Sequence, residues 1–510
     1  MSGAAWIEFE ALAFHKRLKE MIMSDKVTIY SDAEYQGKSA AMAVGRYNHI
    51  PLGNDSLSSL KVPSGLRVTL YEDGDYSGKK MICVMDTPHV GSVNDKTSSM
   101  VVEQASSLGV IAYSDAEYMG WSCELHAGQH DLGKLIGNDT LSSLYIPDGY
   151  KATLYKDASL TSESTVLLAS APHLGGFNDQ ATWIVVEKLQ PVPKLSLAQL
   201  DDLIKQVAPK CYFHPDDAFR PSSVDWFLQR ATLKSKDGTA RPASSGLPTG
   251  GGDDHQYWLE LPTQDRPGDL GSAAVYVNAI RQTYWMDLQF WFFYPYNGAG
   301  RAKLKYTSVG KTLGTNNVDL DPMGEHGGDW EHVTLRYQFG PRKLLGVYMA
   351  QHSGGVWLWP SQIKLEDGVP VVYASRHGHA SYPGEGENLT NSTTVSLAVV
   401  DMTFGLRNDT AKGPGLDCRS HFQVVGAEFV GDELKPPAWL DYARRWGLHK
   451  TYDRSWIAST ISSLMGPVVS TYTSWSDEAT RKIMAALPDE YKEEDGPTGP
   501  KFKSAWKGGE

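Results

Sequence analysis

The stretch VTIYSDAEYQGKS, residues 27–39, decides how the first part of this chain folds, because it returns almost intact as VIAYSDAEYMGWS at residues 110–122. The second copy begins 83 residues after the first, a period the size of a small domain. PLGNDSLSSLKVPSGLRVTLYEDGDYSGKK at 51–80 is answered in the same way by LIGNDTLSSLYIPDGYKATLYKDASLTSES at 135–164. Each unit also halves internally. Tyr30, Tyr71, Tyr113 and Tyr155 each open an acidic turn, and Asn54-Asp55, Asn94-Asp95, Asn138-Asp139 and Asn178-Asp179 each begin an Asn-Asp-x-x-Ser/Thr stretch. The order is therefore ABAB. Between these marks, segments such as KVTIYSD and LRVTLYED alternate apolar and polar residues with β-branched side chains, and no helical period intervenes. Short strands punctuated by Gly, Asp and Asn predict two Greek-key β-sandwiches, over 26–104 and 108–188.

The chain has 510 residues, which is too long for one core. Its net charge of −12 argues against a general nucleic-acid binder, whose affinity needs a basic face, and suits solubility and cation binding. No apolar run approaches the roughly 18 residues of a membrane span, so no transmembrane segment is expected. Residues 1–25 read as an amphipathic helix, with Trp6, Ile7, Phe9, Leu12, Phe14, Leu18 and Met21 at near-helical spacing. Glu8, Glu10, Arg17 and Glu20 interrupt any signal-peptide core. That helix could pack on its own protein or lie on a membrane surface. A soluble, cytoplasmic protein is the expectation, with non-classical secretion left open. Cys83, Cys123, Cys211 and Cys418 form no CxxC pair and are too few for a disulfide scaffold, so a reducing compartment is the default.

The spacing Tyr30-x4-Tyr35-x-Gly37, repeated as Tyr71-x4-Tyr76-x-Gly78 and Tyr113-x4-Tyr118-x-Gly120, resembles the signature of the βγ-crystallin family. The fourth copy departs from it, since Tyr155 is followed by Leu160 and Ser162, which predicts a looser last hairpin. The stretches NDSLSS, NDKTSS and NDTLSS resemble the calcium-binding members of that family, and NDQATW keeps all but the last Ser, replaced by Trp183. The resemblance implies two calcium sites in the first domain, served by Asp55, Ser58, Asp95 and Ser98. It implies two more in the second, served by Asp139, Ser142, Asp179 and Thr182. Such residues suit a cation that takes six to eight hard oxygens. Asn-Asp and Ser-Ser pairs are also ordinary turn formers, but here four recur in register.

Pro191 and Pro193 mark a linker over 189–198. Residues 199–510 read as a larger, β-rich, sandwich-like domain with a few peripheral helices. SLAQLDDLIKQVAP (196–209) and VDWFLQRA (224–231) predict helices capped by Ser196 and by the turn ending at Ser223. ASSGLPTGGGDD (243–254) predicts an exposed loop, LDYARRWG (440–447) and DEATRKIMAALPDEYK (477–492) predict polar helices, and the tail from Asp495 is expected to fray. Strand-like runs include MDLQFWFFYPY (286–296) and WEHVTLRY (330–337).

Six of the 15 histidines lie between His326 and His421. In GDWEHVTLRY, strand alternation puts Asp329 and Glu331 on the face of Val333 and Leu335, and His332 on the opposite face. A carboxylate on an apolar face must be paired, protonated or bound to a cation. With His352, His377 and His379, these residues are candidates for a general acid/base site or a second divalent metal centre. The bland alternative is a buried polar network. HExxH, GxSxG, a P-loop and a GxGxxG in βαβ context are all absent.

HPDDAFRPSSVDWFL (214–228), GDWEHVTLRY (328–337), AQHSGGVWLW (350–359) and PVVYASRHGHASYP (370–383) resemble the vacuolar protein sorting-associated protein 62 family of fungi and plants. The resemblance implies a link to protein sorting and imports no chemistry. Two functions are expected. One is a calcium-stabilised protein whose second half is an enzyme of hydrolytic or other acid/base type. The other is a non-enzymatic binding or trafficking protein, with a small molecule, lipid, glycan or protein as partner. The enzyme needs a solvent-reachable pocket, whereas the binding protein predicts a buried, mutually satisfied set of histidines.

Overall fold

The computed structural model describes residues 26–252, 255–339, 343–351, 354–397, 400–451, 481–482, 485 and 493–508. The expected helix over 1–25 and most of that over 477–492 lie outside the described residues. The chain divides into two compact units, Met1–Gln190 and Pro191–Glu510.

The first unit is built from short antiparallel strands, as the alternation requires. Its first sandwich joins a sheet ordered Gln36–Met42, Val27–Asp32, Ser59–Lys61 to one ordered Gly45–Tyr47, Ser99–Gln104, Leu66–Tyr71, Lys80–Cys83. Gly45–Tyr47, from the first motif, pairs with Ser99–Gln104 from the second, so the two motifs interlock. The second sandwich repeats this arrangement, with Gly128–Asp131 pairing Trp183–Lys188. Each has its own core, around Leu60, Val68 and Leu70 in one and Leu144, Leu154 and Ile184 in the other.

The hairpin glycines explain the aromatic signature. Gly37, Gly78 and Gly120 sit at φ near +77°, and a Cβ on Gly120 would lie 2.4 Å from both Asp115 Cγ and Ser114 Oγ. The last Ser of the second signature turns out to pin the same hairpin. Ser143 Oγ accepts from Tyr118 N at 3.0 Å and donates to Asp115 O at 2.6 Å; Ser59 and Ser99 do the same for Tyr35 and Tyr76. The fourth motif has Trp183 where this Ser would stand. Its hairpin lacks the positive-φ pair that Glu117 and Tyr118 supply in the third, and is held by Asp157 and Ser159. The two signatures thus form one device, absent as a whole from the fourth copy. We predict that Ser143→Ala, which leaves a part-buried donor and acceptor unmatched, costs about 1–3 kcal/mol in urea unfolding. A cost below a few tenths would refute the pinning role.

The second unit is a β-sandwich with parallel elements. One sheet has six strands, ordered Gly354–Leu358, Lys343–Gln351, His326–Gln338, Trp285–Asn297, Val275–Arg281, Phe422–Gly426. It faces a sheet of Leu365–Glu366, Val369–Ala374, Lys210–Phe213 and Gly415–Asp417, to which Ser381–Tyr382 is added. Phe290, Val333, Leu335 and Val347 of the first meet Phe213, Val372 and Leu416 of the second in one core. Helix α1, Leu197–Val207, buries Leu200, Leu203, Ile204 and Val207 against it and carries the expected Ser196 cap with Gln199 as its reciprocal partner. Helix α2, Val224–Arg230, is capped by Ser223 and packs on the opposite face of the six-stranded sheet.

Two expectations are corrected. LDYARRWG is not an α-helix: a 3-10 turn spans Ala438–Asp441, and Trp439, Leu440, Tyr442 and Trp446 are buried among Trp291, Phe293 and Trp330. Burial on all sides overrides a local preference too short to stand alone. The tail does not fray over 495–508. Asn278 Nδ2 donates to Trp506 O at 2.9 Å, Gln289 donates to Ala505 O, and Pro500 is buried.

Candidate functional site

Two places collect chemistry-bearing side chains. In the first unit the second residue of each Asn-Asp pair is left-handed, with Asp55, Asp95, Asp139 and Asp179 at φ of 51° to 54°. Aspartate tolerates this conformation, and it turns each carboxylate back over its own loop. The preceding Asn amide donates to one carboxylate oxygen, at 2.7 Å for Asn54 and 2.8 Å for Asn178. The other oxygen faces the paired motif. Asp55 Oδ1 lies 3.3 Å from Ser98 Oγ, and Asp179 Oδ1 lies 3.0 Å from Ser142 Oγ. The interlocked strands thus bring opposite loops together within each sandwich.

Ser142 Oγ also lies 2.9 Å from Ser114 O and 3.5 Å from Thr140 O. One hydroxyl proton cannot serve three acceptor oxygens. Such a cluster is rich in lone pairs and short of protons, which is the donor set a hard cation fits. Ser58 and Thr182 donate to Ser31 O and Lys156 O, both at 2.8 Å, and so keep lone pairs to offer. Asn94 Oδ1 is a buried oxygen without a hydrogen-bond partner among the described residues. No three His, Cys, Asp or Glu side chains converge as metal ligands among the described residues.

The second place is the end of the six-stranded sheet. Asp329 leaves strand His326–Gln338 on the face of Val333 and Leu335, as the alternation predicts. His379 comes to it from the turn between Val369–Ala374 and Ser381–Tyr382, with Nδ1 2.8 Å from Asp329 Oδ2. Burial pushes the Asp329 carboxyl up, but the hydrogen bond from His379 and the nearby His326 and Lys503 outweigh it and hold the group below its ordinary range. Since Asp329 is the ionised acceptor, Nδ1 carries the proton. The His379 ring stacks on Tyr294, with centroids 3.7 Å apart and planes 5° apart. Its Nε2 lies 3.5 Å from Asp217 Oδ2 and is buried without a hydrogen bond among the described residues. Asp217 is tied by backbone donors, Phe219 N at 3.0 Å and His377 N at 3.2 Å. His377 and His379 both sit at positive φ, 71° and 52°, a strained turn that fixes their direction.

The other candidates are dispersed. His377 Nδ1 bonds Ala299 O at 2.9 Å. Glu331 is half-buried, and its charge helps push the Tyr294 and Tyr382 hydroxyls up, behind the larger effect of burial. His332 points to the opposite face and stacks on Trp291 at 4.4 Å, where burial and then Lys503 push it down to about 3. His352 lies outside the described residues. Asp217 and Tyr294 escaped the sequence reading. Asp217 stands inside the quoted stretch HPDDAFRPSSVDWFL, and its position in a turn just after a strand was the available signal.

These shifts fix a pH dependence. His332 takes a proton in the unfolded chain near its ordinary 6.5 but refuses it in the fold down to about 3. Stability therefore falls as pH drops from about 6.5 toward 3, by about 1.4 kcal/mol per pH unit. Asp329, lowered in the fold, begins to lose its own contribution as pH falls through the ordinary carboxylate value of 3.8, in the same direction. Urea midpoints across this range should decline steadily, and His332→Gln should flatten the decline.

A family model described as vacuolar protein sorting-associated protein 62 matches residues 152–510. Development-specific protein S of Myxococcus xanthus is 26% identical over 168 residues, covering 31% of this chain and 96% of that protein. Vacuolar protein sorting-associated protein 62 of Saccharomyces cerevisiae is 24% identical over 181 residues, covering 32% of this chain. The aligned part spans 34% of that yeast protein's length. A solved βγ-crystallin domain from Clostridium beijerinckii is 40% identical over 15% of this chain and 95% of that domain, with a TM-score of 0.15.

Proposed function

We propose that this chain, which belongs to the vacuolar protein sorting-associated protein 62 family, is a non-enzymatic binding or trafficking protein whose paired βγ-crystallin-like domains are stiffened by calcium. The observation that carries this reading is the oxygen cluster in which Ser142 Oγ meets Ser114 O and Asp179 Oδ1. Two calcium ions in that domain would share Asp139, Ser142, Asp179 and Thr182, and two in the first domain Asp55, Ser58, Asp95 and Ser98. Calcium supplies charge that stitches two loops together; the loops supply the carboxylate and hydroxyl oxygens.

In the second unit the burial of His379 (1% exposed), Asp329 (6%) and Asp217 (7%) favours a polar lock within the fold. The acid/base reading, with Asp329, Glu331, His332, His352, His377 and His379 as catalytic groups or ligands of a second divalent metal, has one observation on its side, the unmatched Nε2 of His379. Elemental analysis of the purified full chain separates the two. Calcium alone, reduced by Asp139→Asn, supports the binding protein. A transition metal in stoichiometric amount, lost in His379→Ala, overturns it in favour of a metalloenzyme. The family's name supports protein sorting as the setting, with lipid, glycan, protein or a small molecule as partner. No helix among the described residues is long and apolar enough to cross a membrane.

A further inference from the structure

The hairpin of Arg301–Ser308 and Lys311–Asp319 ends in a two-residue turn, Val309-Gly310. Ser308 pairs with Lys311 across it, and both turn residues have positive φ, 45° and 74°. This is the geometry in which hairpins favour Asn-Gly, and a β-branched residue at the first position is a steric outlier. Val309 is also 98% exposed, and Leu313 on the returning strand is 42% exposed. A Cβ built on Gly310 or Gly314 would meet nothing within 4 Å among the described residues. The fold alone gains nothing from a strained, solvated valine, and the strain therefore points to a contact made outside the chain.

The charges say what kind. Toward the base of the hairpin the cations are neutralised: Arg301 pairs with Asp319 and Asp409, and Lys303 pairs with Glu387. Nearer the tip, Lys305 and Lys311 are exposed and have no ion pair among the described residues, although Asp401 stands opposite Thr307 on the neighbouring strand. A chain of net charge −12 thus carries, at one hairpin tip, two exposed apolar side chains flanked by two lysines that have no ion pair among the described residues.

We propose that this tip docks on the surface of an anionic lipid bilayer. Val309 and Leu313 would enter the headgroup boundary, and Lys305 and Lys311 would face lipid phosphates and carboxylates. The proposal deepens the binding-protein reading by naming lipid as the partner, and calcium stiffening stands or falls independently of it.

The test is co-sedimentation of the full chain with vesicles of phosphatidylcholine alone and of phosphatidylcholine with phosphatidylserine. Binding is expected only to the second, and it should weaken with salt. Lys305→Glu with Lys311→Glu should reduce it about thirtyfold, roughly fivefold per lysine. Val309→Asn should reduce it about tenfold, the loss of one buried apolar side chain, while leaving the melting temperature equal or higher because asparagine suits the turn. Absence of binding to the anionic vesicles, equal binding to both vesicle types, or binding untouched by Val309→Asn overturns the proposal. Binding abolished by EDTA but not by the tip variants also overturns it, by placing the lipid contact in the calcium module.

Discussion

His379→Ala is expected to destabilise the second unit by about 3–5 kcal/mol, the largest single-residue effect outside the apolar core. Asp329 would keep its burial and lose the ring that donates to it at 2.8 Å. A carboxylate left so must become protonated or draw water into the end of the sheet, and either outcome costs far more than the net worth of one neutral hydrogen bond. The stacking surface of Tyr294 is lost as well. Asp217 suffers less, because Phe219 N and His377 N still hold it. The partners can be separated by a double-mutant cycle. Asp329→Ala alone leaves His379 without an acceptor, but adding it to His379→Ala removes the stranded charge. The double variant should therefore cost less than the sum of the singles by roughly 0.5–3 kcal/mol. Additive costs in guanidinium unfolding would show that the two groups are not coupled, and the lock would have to be abandoned.

The residues of this array differ in how far the sequence exposes them. Asp329 and His332 were separable because strand alternation is a local rule, and their opposite faces follow from counting along GDWEHVTLRY. That His379 meets Asp329 depends on a turn from the facing sheet, and Asp217 arrives from beyond another strand; no spacing rule reaches across such loops. The histidine-rich segments were visible, yet proximity in composition misled as to proximity in space, since His332 belongs to the tryptophan-lined face. The crystallin-like half was more legible because its devices are local: a positive-φ glycine, an aromatic corner and an Asn-Asp turn each sit within a few residues. Even there, the signature gives the last Ser of NDxxSS no role, and only the structure shows that it pins the hairpin. The tail and LDYARRWG were misread for the opposite reason. Their polar local pattern is outweighed by the burial of Trp439, Trp446 and Ala505, a tertiary term that propensity does not contain.

Removing calcium should lower the stability of the first unit by more than any one substitution. Each independent site, at a hundredfold excess of ion over its dissociation constant, adds about 2.7 kcal/mol, so four would add about 11 kcal/mol. The fourth motif lacks the pinned hairpin, so its loop is held less firmly before the ion arrives and should bind more weakly. Asp→Asn variants isolate the ion's share. Asparagine tolerates the left-handed conformation at φ near 51°, so Asp139→Asn keeps the turn while removing the charge. Without calcium, Asp139→Asn should melt within a degree or two of the parent, because only a solvated carboxylate has changed. With calcium it should fall short by about one site's worth. Calorimetric scans of the parent and of Asp55→Asn, Asp95→Asn, Asp139→Asn and Asp179→Asn, each with calcium and with EDTA, read this directly. A first-unit transition that ignores EDTA in the parent, or an Asp139→Asn deficit of equal size with and without the ion, would mean that the paired loops meet for structural reasons and hold no cation.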